Sequence, residues 1–243
     1  MYLSCLLIDV GKNPDRPRPG RLWLRNLYHV HQRLCMAFPS APKVADDGGF
    51  LKPFKPGDLE EQVHVARASD AGFLFRVDPQ LGGRAVILVQ SAVKPAWEYA
   101  FRNAGHFLAE PPKVKALDLS FRIAQRLRFH LRANPTERRV FGEPLPGQKP
   151  SGKRIGVHGE EMQRAWLDRK AAENGFRILS CVVTDRGFQT SRRSPGSPPI
   201  RHLCVDFDGI LEVTEPELFL DAFQSGIGSA KGFGFGLLSV ARA

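Results

Sequence analysis

The order of strand-like and helix-like patterns is the feature that most constrains the fold of this 243-residue chain. Short apolar runs bounded by turn residues predict strands, and apolar residues spaced by three and four predict helices. The first half reads β-α-β-β-α-β, over residues 2–10, 24–38, 73–77, 85–90, 95–103 and 114–119. Pro39 ends the first of these helices, and residues 13–21 and 39–60 read as loops.

The second half repeats that order over residues 120–133, 160–174, 178–185, 202–213, 216–224 and a last strand near the carboxyl end. Gly175 is predicted to cap the helix of residues 160–174, and residues 135–159 read as a polar loop. Two such units in tandem predict an α+β protein with two ferredoxin-like (RRM-like) domains, at residues 1–118 and 119–243. The halves share negligible identity, so this prediction depends on element order alone.

The charge balance indicates an anionic partner. There are 35 Lys and Arg residues against 25 Asp and Glu, a formal net charge of +10, which makes nucleic acid the first candidate. No apolar run approaches the length of a membrane span, and the amino end reads as a strand rather than a signal peptide. The four cysteines form no C-x-x-C pair, so we predict a reduced, cytoplasmic protein without structural zinc.

A glycine-rich segment, residues 226–236, places five glycines in eleven positions directly before an apolar run. Such a loop can present backbone N–H groups to a phosphate, with Lys231 beside them and Gly226 and Gly228 allowing close approach. Five of its positions match the RNA-binding signature K/R-G-F/Y-G/A-F before the match breaks. A tight helix-to-strand connection without a ligand explains the same glycines equally well.

The sequence lacks the signature motifs of several enzyme classes. Lys231 stands where the dinucleotide fingerprint needs a glycine, and no P-loop, H-E-x-x-H or G-x-S-x-G motif occurs. We therefore expect no nucleotide cofactor. Asp206 and Asp208 share one face of a strand, but no third acid has a recognisable spacing, so a metal site is disfavoured.

Basic residues concentrate in the second half. Between Lys113 and Arg139 there are eight Lys or Arg residues against two acids, and even spacing predicts one strand face for four of them, Arg122, Arg126, Arg128 and Arg132. A basic sheet face suits a phosphate backbone, although a solvated face is the alternative. Loops of the same half add Lys149, Lys153, Arg154, Arg192, Arg193 and Arg201.

One histidine stands out from the other six. His31 occupies the apolar stripe of the first helix between Leu27 and Leu34, one turn from Tyr28, so that the two rings can share a surface. A histidine in such a stripe is more often a core residue than a catalytic one. The residues alone therefore leave both roles open.

Five motifs in sequence order resemble the CasE family, the CRISPR-repeat endoribonucleases of the type I-E Cascade complex. They are residues 1–4 (MYLS), 27–32 (LYHVHQ), 131–135 (LRANP), 166–170 (WLDRK) and 226–238 (GIGSAKGFGFGLL). Together they span nearly the whole chain. Residues 13–21 and 39–60 look long for the family, which affects how RNA would enter the site.

The resemblance implies a cytoplasmic, metal-independent endoribonuclease of antiviral defence. It implies that the enzyme binds the repeat hairpin, cleaves precursor CRISPR RNA below it, and stays on the product with other Cascade subunits. The ribose 2′-OH would attack the adjacent phosphate and leave a 5′-hydroxyl product. Catalysis would fall to His31 and Tyr28, and a neighbouring cation to Arg201.

These residue types suit that chemistry. A histidine can accept the 2′-OH proton or donate one to the leaving oxygen, and Arg201 or Lys231 can stabilise charge on the phosphoryl oxygens. Two alternatives remain: a non-catalytic RRM-like module that stacks bases on Phe233 and Phe235, and a purely structural subunit of a ribonucleoprotein.

Overall fold

The computed structural model describes residues 1–13, 15, 18–38, 72–80, 82–140, 152–194 and 196–243. The predicted loop of residues 39–60, His64 and Lys149 lie outside them. The chain divides into two compact units that do not follow a single cut in the sequence. The first unit comprises Met1–Leu119, Thr190–Ile200 and Gly232–Gly234, and the second comprises Ser120–Gln189, Arg201–Lys231 and Phe235–Ala243.

The first unit is built on a four-stranded antiparallel sheet. Its strands are β1 (Tyr2–Asp9), β2 (Phe73–Gln80), β3 (Arg84–Ser91) and β4 (Lys113–Ala116), in the order β2-β3-β1-β4. The helices are α1 (Pro19–Leu24), α2 (Leu27–Cys35) and the single turn α3 (Trp97–Ala100). The core that packs α2 against the sheet includes Leu6, Ile8, Val30, Leu34, Phe75 and Ile87.

Two helix predictions in this unit need correction. The predicted helix of residues 24–38 is interrupted at Asn26, whose side-chain oxygen accepts the N–H of Tyr28 at 3.3 Å and thereby caps α2. The preceding helix α1 begins at Pro19, inside the predicted loop of residues 13–21, because proline fits the first helical position. The predicted helix of residues 95–103 is only the turn α3.

The second unit has a sheet of the same topology. Its strands are β5 (Arg126–Ala133), β8 (Phe176–Ser191), β9 (Ile200–Val213) and β10 (Leu238–Arg242), in the order β10-β5-β9-β8. The helices are α4 (Glu160–Glu173) and α5 (Pro216–Ser225). Both sheets follow the spatial order fourth, first, third, second strand, so the predicted pair of ferredoxin-like folds is confirmed.

The second unit also departs from prediction at two places. The predicted strand of residues 120–133 begins only at Arg126, because the chain turns at Ala124, whose φ is 61°. The predicted loop of residues 135–159 contains a hairpin of β6 (Thr136–Val140) and β7 (Gly152–Gly156). These two strands satisfy each other's backbone groups, which lets a polar sequence form strand.

The helix predictions for this unit are confirmed, whereas the strand predicted at residues 178–185 is longer and forms part of β8, which continues to Ser191. The helices of residues 160–174 and 216–224 are present, and Gly175 follows α4 with a φ of 71°, the left-handed conformation of a helix-ending glycine. In the described part of the chain, no helix is long and apolar enough to cross a membrane.

Candidate functional site

His31 is half-buried on the face of α2 that packs against β2. Its ring stacks on Phe73, with centroids 5.3 Å apart and planes inclined by 29°, and lies 6.1 Å from Phe75. Its Nε2 is 3.5 Å from Sγ of Cys35, one helical turn further on. The predicted stripe is therefore present, since Leu27 and Leu34 are buried on either side of the imidazole.

The glycine-rich segment lies against the same helix through residues 232–234. A Cβ added to Gly232 would lie 3.6 to 3.8 Å from three ring atoms of His31, so backbone lies directly beside the imidazole. The ring of Phe233 is 6.4 Å from that of Tyr28. The two sequence features singled out separately thus meet in the first unit, which their separation along the chain did not indicate.

Gly234 shows why this contact needs glycine. Its φ is 81°, a conformation that side chains rarely adopt, and an added Cβ would lie 3.2 Å from Cε2 of Phe75. Glycine at this position therefore lets the segment pass close over the aromatic pair that supports His31.

A second segment reaches the start of α2. Asn26 donates from its Nδ2 to the carbonyl of Arg192 at 2.8 Å, and its Oδ1 accepts the N–H of Arg192 at 3.2 Å. Arg192 and Arg193 are both exposed. This pairing brings two of the predicted RNA-binding cations to the helix that carries Tyr28 and His31.

The predicted basic sheet face is corrected to a face of mixed charge. Arg126, Arg128 and Arg132 do share one face of β5, but Arg122 precedes the strand. Acids from β9 stand opposite: Glu212 pairs with Arg126 at 3.1 Å and Asp206 with Arg132 at 2.7 Å. Arg128 donates to the carbonyl of Arg242. The sequence pattern missed these acids because they depend on strand register.

The same pairing accounts for Asp206 and Asp208. Asp206 also accepts from Arg186 at 3.1 Å, and the carboxylate of Asp208 accepts from Nδ1 of His130 at 2.7 Å. Burial opposes ionisation of Asp206, but hydrogen bonds and charge from Arg132, with His130 and Arg186, hold its pKa below the ordinary value. Within the described ranges, no three His, Cys, Asp or Glu side chains form a metal-binding group.

The rest of the glycine-rich segment belongs to the second unit. Gly226 ends α5 with a φ of 79°, and an added Cβ on Gly228 would lie 3.2 Å from the Trp166 ring. Lys231 donates from Nζ to the carbonyl of Ser225 at 2.7 Å, and burial lowers its pKa. These residues line a cavity of about 470 Å³ together with Arg154 and Lys170.

Two further predicted cations lie on the hairpin, and one on β9. Lys153 and Arg154 are exposed on β7. Arg201 is exposed at the start of β9, where its guanidinium carbon lies 4.5 Å from the ring centroid of Phe188.

The alternative hypothesis of a non-catalytic RRM-like module predicts that bases stack on Phe233 and Phe235. That prediction is wrong for Phe235, whose side chain is buried at 1% exposure.

Comparison with known proteins places the chain in a family. The family model described as CRISPR associated protein matches residues 1–242. The chain belongs to this family. Two curated relatives share recognisable sequence with this chain along most of their length, which confirms the resemblance to CasE.

The similarity to those members is as follows. The CRISPR-associated endoribonuclease Cse3 of Thermus thermophilus is 34% identical over 191 residues, covering 73% of this chain and 84% of that protein. The CRISPR system Cascade subunit CasE of Escherichia coli is 29% identical over 243 residues, covering 99% of both. A structure of Cse3 bound to a 19-nucleotide RNA superposes with a TM-score of 0.69 at 30% identity, covering 99% of this chain and all of that one.

Proposed function

We propose that this protein is a metal-independent endoribonuclease that binds the CRISPR repeat hairpin and cleaves precursor CRISPR RNA. The observation that carries the proposal is the position of the His31 imidazole, which stacks on Phe73 with the backbone of Gly232 beside it. The naming of one relative as an endoribonuclease, and the RNA held by a related structure, support the choice of substrate.

The proposed reaction uses the RNA's own nucleophile. The ribose 2′-oxygen attacks the adjacent phosphorus and forms a 2′,3′-cyclic phosphate, while the P–O5′ bond breaks and the 5′-oxygen leaves as a hydroxyl. The 2′-OH loses a proton and the leaving oxygen gains one, so a single positioned histidine can serve either transfer. An internal nucleophile removes the need for a metal-activated water.

The other roles are assigned to residues near α2 and to the predicted cations. Tyr28 lies half-buried one turn before His31, where its hydroxyl can hold the ribose or phosphate. A cation is needed for the charge on the phosphoryl oxygens, and Arg201 or Lys231 is assigned to it. The predicted RNA-binding set comprises Lys231, Arg201, Arg132, Arg128, Arg126, Lys153, Arg154, Arg192, Arg193, Gly226 and Gly228.

The availability of these cations differs. The side chain of Arg132 is 18% exposed and is paired with a buried carboxylate, whereas Arg192, Arg193, Lys153 and Arg154 are exposed. We therefore assign phosphate contacts first to this second group. Arg132 is assigned to holding the sheet together.

The proposed setting is a cytoplasmic Cascade complex in which the protein stays on its product RNA. One relative is named a Cascade subunit, and the net charge of +10 suits a lasting contact with RNA.

The test is cleavage of the cognate repeat RNA with and without EDTA, using a matched RNA with a single 2′-deoxy substitution at the cut site. We expect equal cleavage in EDTA and no cleavage of the deoxy RNA, which should still bind. Dependence on added divalent metal, or cutting of the deoxy RNA, would contradict the mechanism.

A further inference from the structure

A kink in β8 turns Phe188 towards solvent. Gly187 has a φ of 76° within the strand, and its N–H donates to Oδ1 of Asp185 at 2.7 Å. A positive-φ glycine in a strand is a device that redirects the following side chain. The ring of Phe188 is left 51% exposed.

Two other exposed side chains border this ring. The guanidinium carbon of Arg201 lies 4.5 Å from its centroid, and the ring of His158 lies 5.9 Å away at 53°. A guanidinium over an aromatic face is held by the ring's quadrupole while its N–H groups remain able to donate. We call Phe188, Arg201 and His158 the aromatic-cation cluster.

A buried side chain supports the backbone that carries the cluster. Gln163 on α4 is 1% exposed, and its Nε2 donates to Oδ2 of Asp185 at 3.1 Å and to the carbonyl of Val157 at 3.2 Å. One buried amide thus fixes both the kink before Phe188 and the residue before His158. The cluster is built before any ligand arrives, which reduces the entropy lost on binding.

The surroundings of the cluster are basic. Strand β7 carries the exposed cations Lys153 and Arg154 and ends at Gly156, two residues before His158. An added Cβ on Gly156 would lie 3.2 Å from Nε2 of His158, so the hairpin end and the cluster are in contact. Aromatic rings for stacking beside cations for the backbone are the combination that binds unpaired nucleic acid.

We propose that the aromatic-cation cluster is a stacking site for one unpaired nucleobase of the RNA. This rests on the proposed function as an RNA-binding enzyme. The base stacks on the exposed part of the Phe188 ring, whose position Arg201 and His158 help to fix, and Lys153 or Arg154 contacts a neighbouring phosphate. Stacking of this kind tolerates any base, so the site adds affinity for the unpaired flank of a hairpin rather than sequence selectivity.

The test measures Kd for repeat RNAs with the full-length protein and with Phe188→Ala. The RNAs carry the hairpin with its unpaired flanks, either intact or with single abasic positions stepped along those flanks. We expect Phe188→Ala to weaken binding of intact RNA roughly 5- to 100-fold. At one abasic position the affinity of the wild type for RNA should fall by a similar factor. The affinity of Phe188→Ala should show no further decrease at that position.

A Phe188→Trp variant is the matched control and should bind as the wild type does, since it keeps a stacking face. Equal Kd values for wild type and Phe188→Ala would overturn the proposal. So would a Phe188→Ala defect that persists at every abasic position, because the ring would then act only by placing Arg201 or by contacting a protein partner. Binding and cleavage of the intact RNA by the wild-type protein test the proposed function independently of the stacking site.

Discussion

The ring of His31 on α2 stacks on the ring of Phe73 on β2, with centroids 5.3 Å apart. The orientation of the proposed catalytic imidazole therefore depends on a buried aromatic side chain of a different element. Phe73 in turn stacks on Phe38 at 5.0 Å, just beyond the end of α2. The chemistry of the site is thus coupled to packing in the first unit's core.

We predict that Phe73→Leu lowers the single-turnover cleavage rate roughly 10-fold or more, because a reacting group displaced by about an ångström loses much of its effectiveness. The Kd for repeat RNA should stay near the wild-type value. Phe176→Leu is the matched control, since Phe176 is also buried but lies in the second unit's core. Equal cleavage by the two variants would show that Phe73 does not position His31.

Two glycines of the same segment should respond differently to alanine. Gly234→Ala must adopt a positive φ and press on Phe75, so we predict a loss of about 1–2 kcal/mol in the free energy of unfolding. Gly232→Ala meets His31 at ordinary contact distance and should fold with near-normal stability. Chemical denaturation of both variants checks this, and a more stable Gly234→Ala than Gly232→Ala would refute it.

Asp206→Asn should destabilise the second sheet by about 3 kcal/mol at pH 7, because it leaves Arg132 beside a neutral amide in a buried position. The side chain of Asp208 is 53% exposed and pairs with His130, so Asp208→Asn should cost less than about 1 kcal/mol. Urea unfolding of the two variants beside the wild type measures both losses. Similar losses in the free energy of unfolding would show that the burial of Asp206 does not increase its contribution to stability.

The loss from Asp206→Asn should also depend on pH. The folded pKa of Asp206 lies below its ordinary value, so its contribution to stability is complete above about pH 4 and disappears as the pH falls through the folded pKa. The stability difference between wild type and Asp206→Asn should therefore narrow as the pH falls below about 4. A difference that is constant over this range would contradict the assignment.

Much of this fold could be predicted from apolar patterning, because most of its strands and helices have one face in a core. The break at Asn26 could not, since the helical period continues across it and only the cap interrupts the backbone. The hairpin of β6 and β7 was missed because its stability comes from mutual pairing rather than from an apolar face.

The candidate site was also only partly predictable from the sequence. His31 and Tyr28 could be selected from a family resemblance, and Lys153, Arg154, Arg192 and Arg193 from charge alone. The stacking of His31 on Phe73, its contact with Gly232, and the acids opposite Arg126 and Arg132 arise from register and tertiary packing. No local spacing in the sequence encodes them.

The most direct test of the account is single-turnover cleavage of repeat RNA by His31→Ala, with the Kd for the same RNA measured in parallel. The account predicts near-normal affinity and a cleavage rate reduced by at least about 100-fold, the usual effect of losing a general acid or base. His29→Ala is the matched control on the exposed side of the same helix and should cleave normally. Cleavage by His31→Ala at the wild-type rate would contradict the central claim.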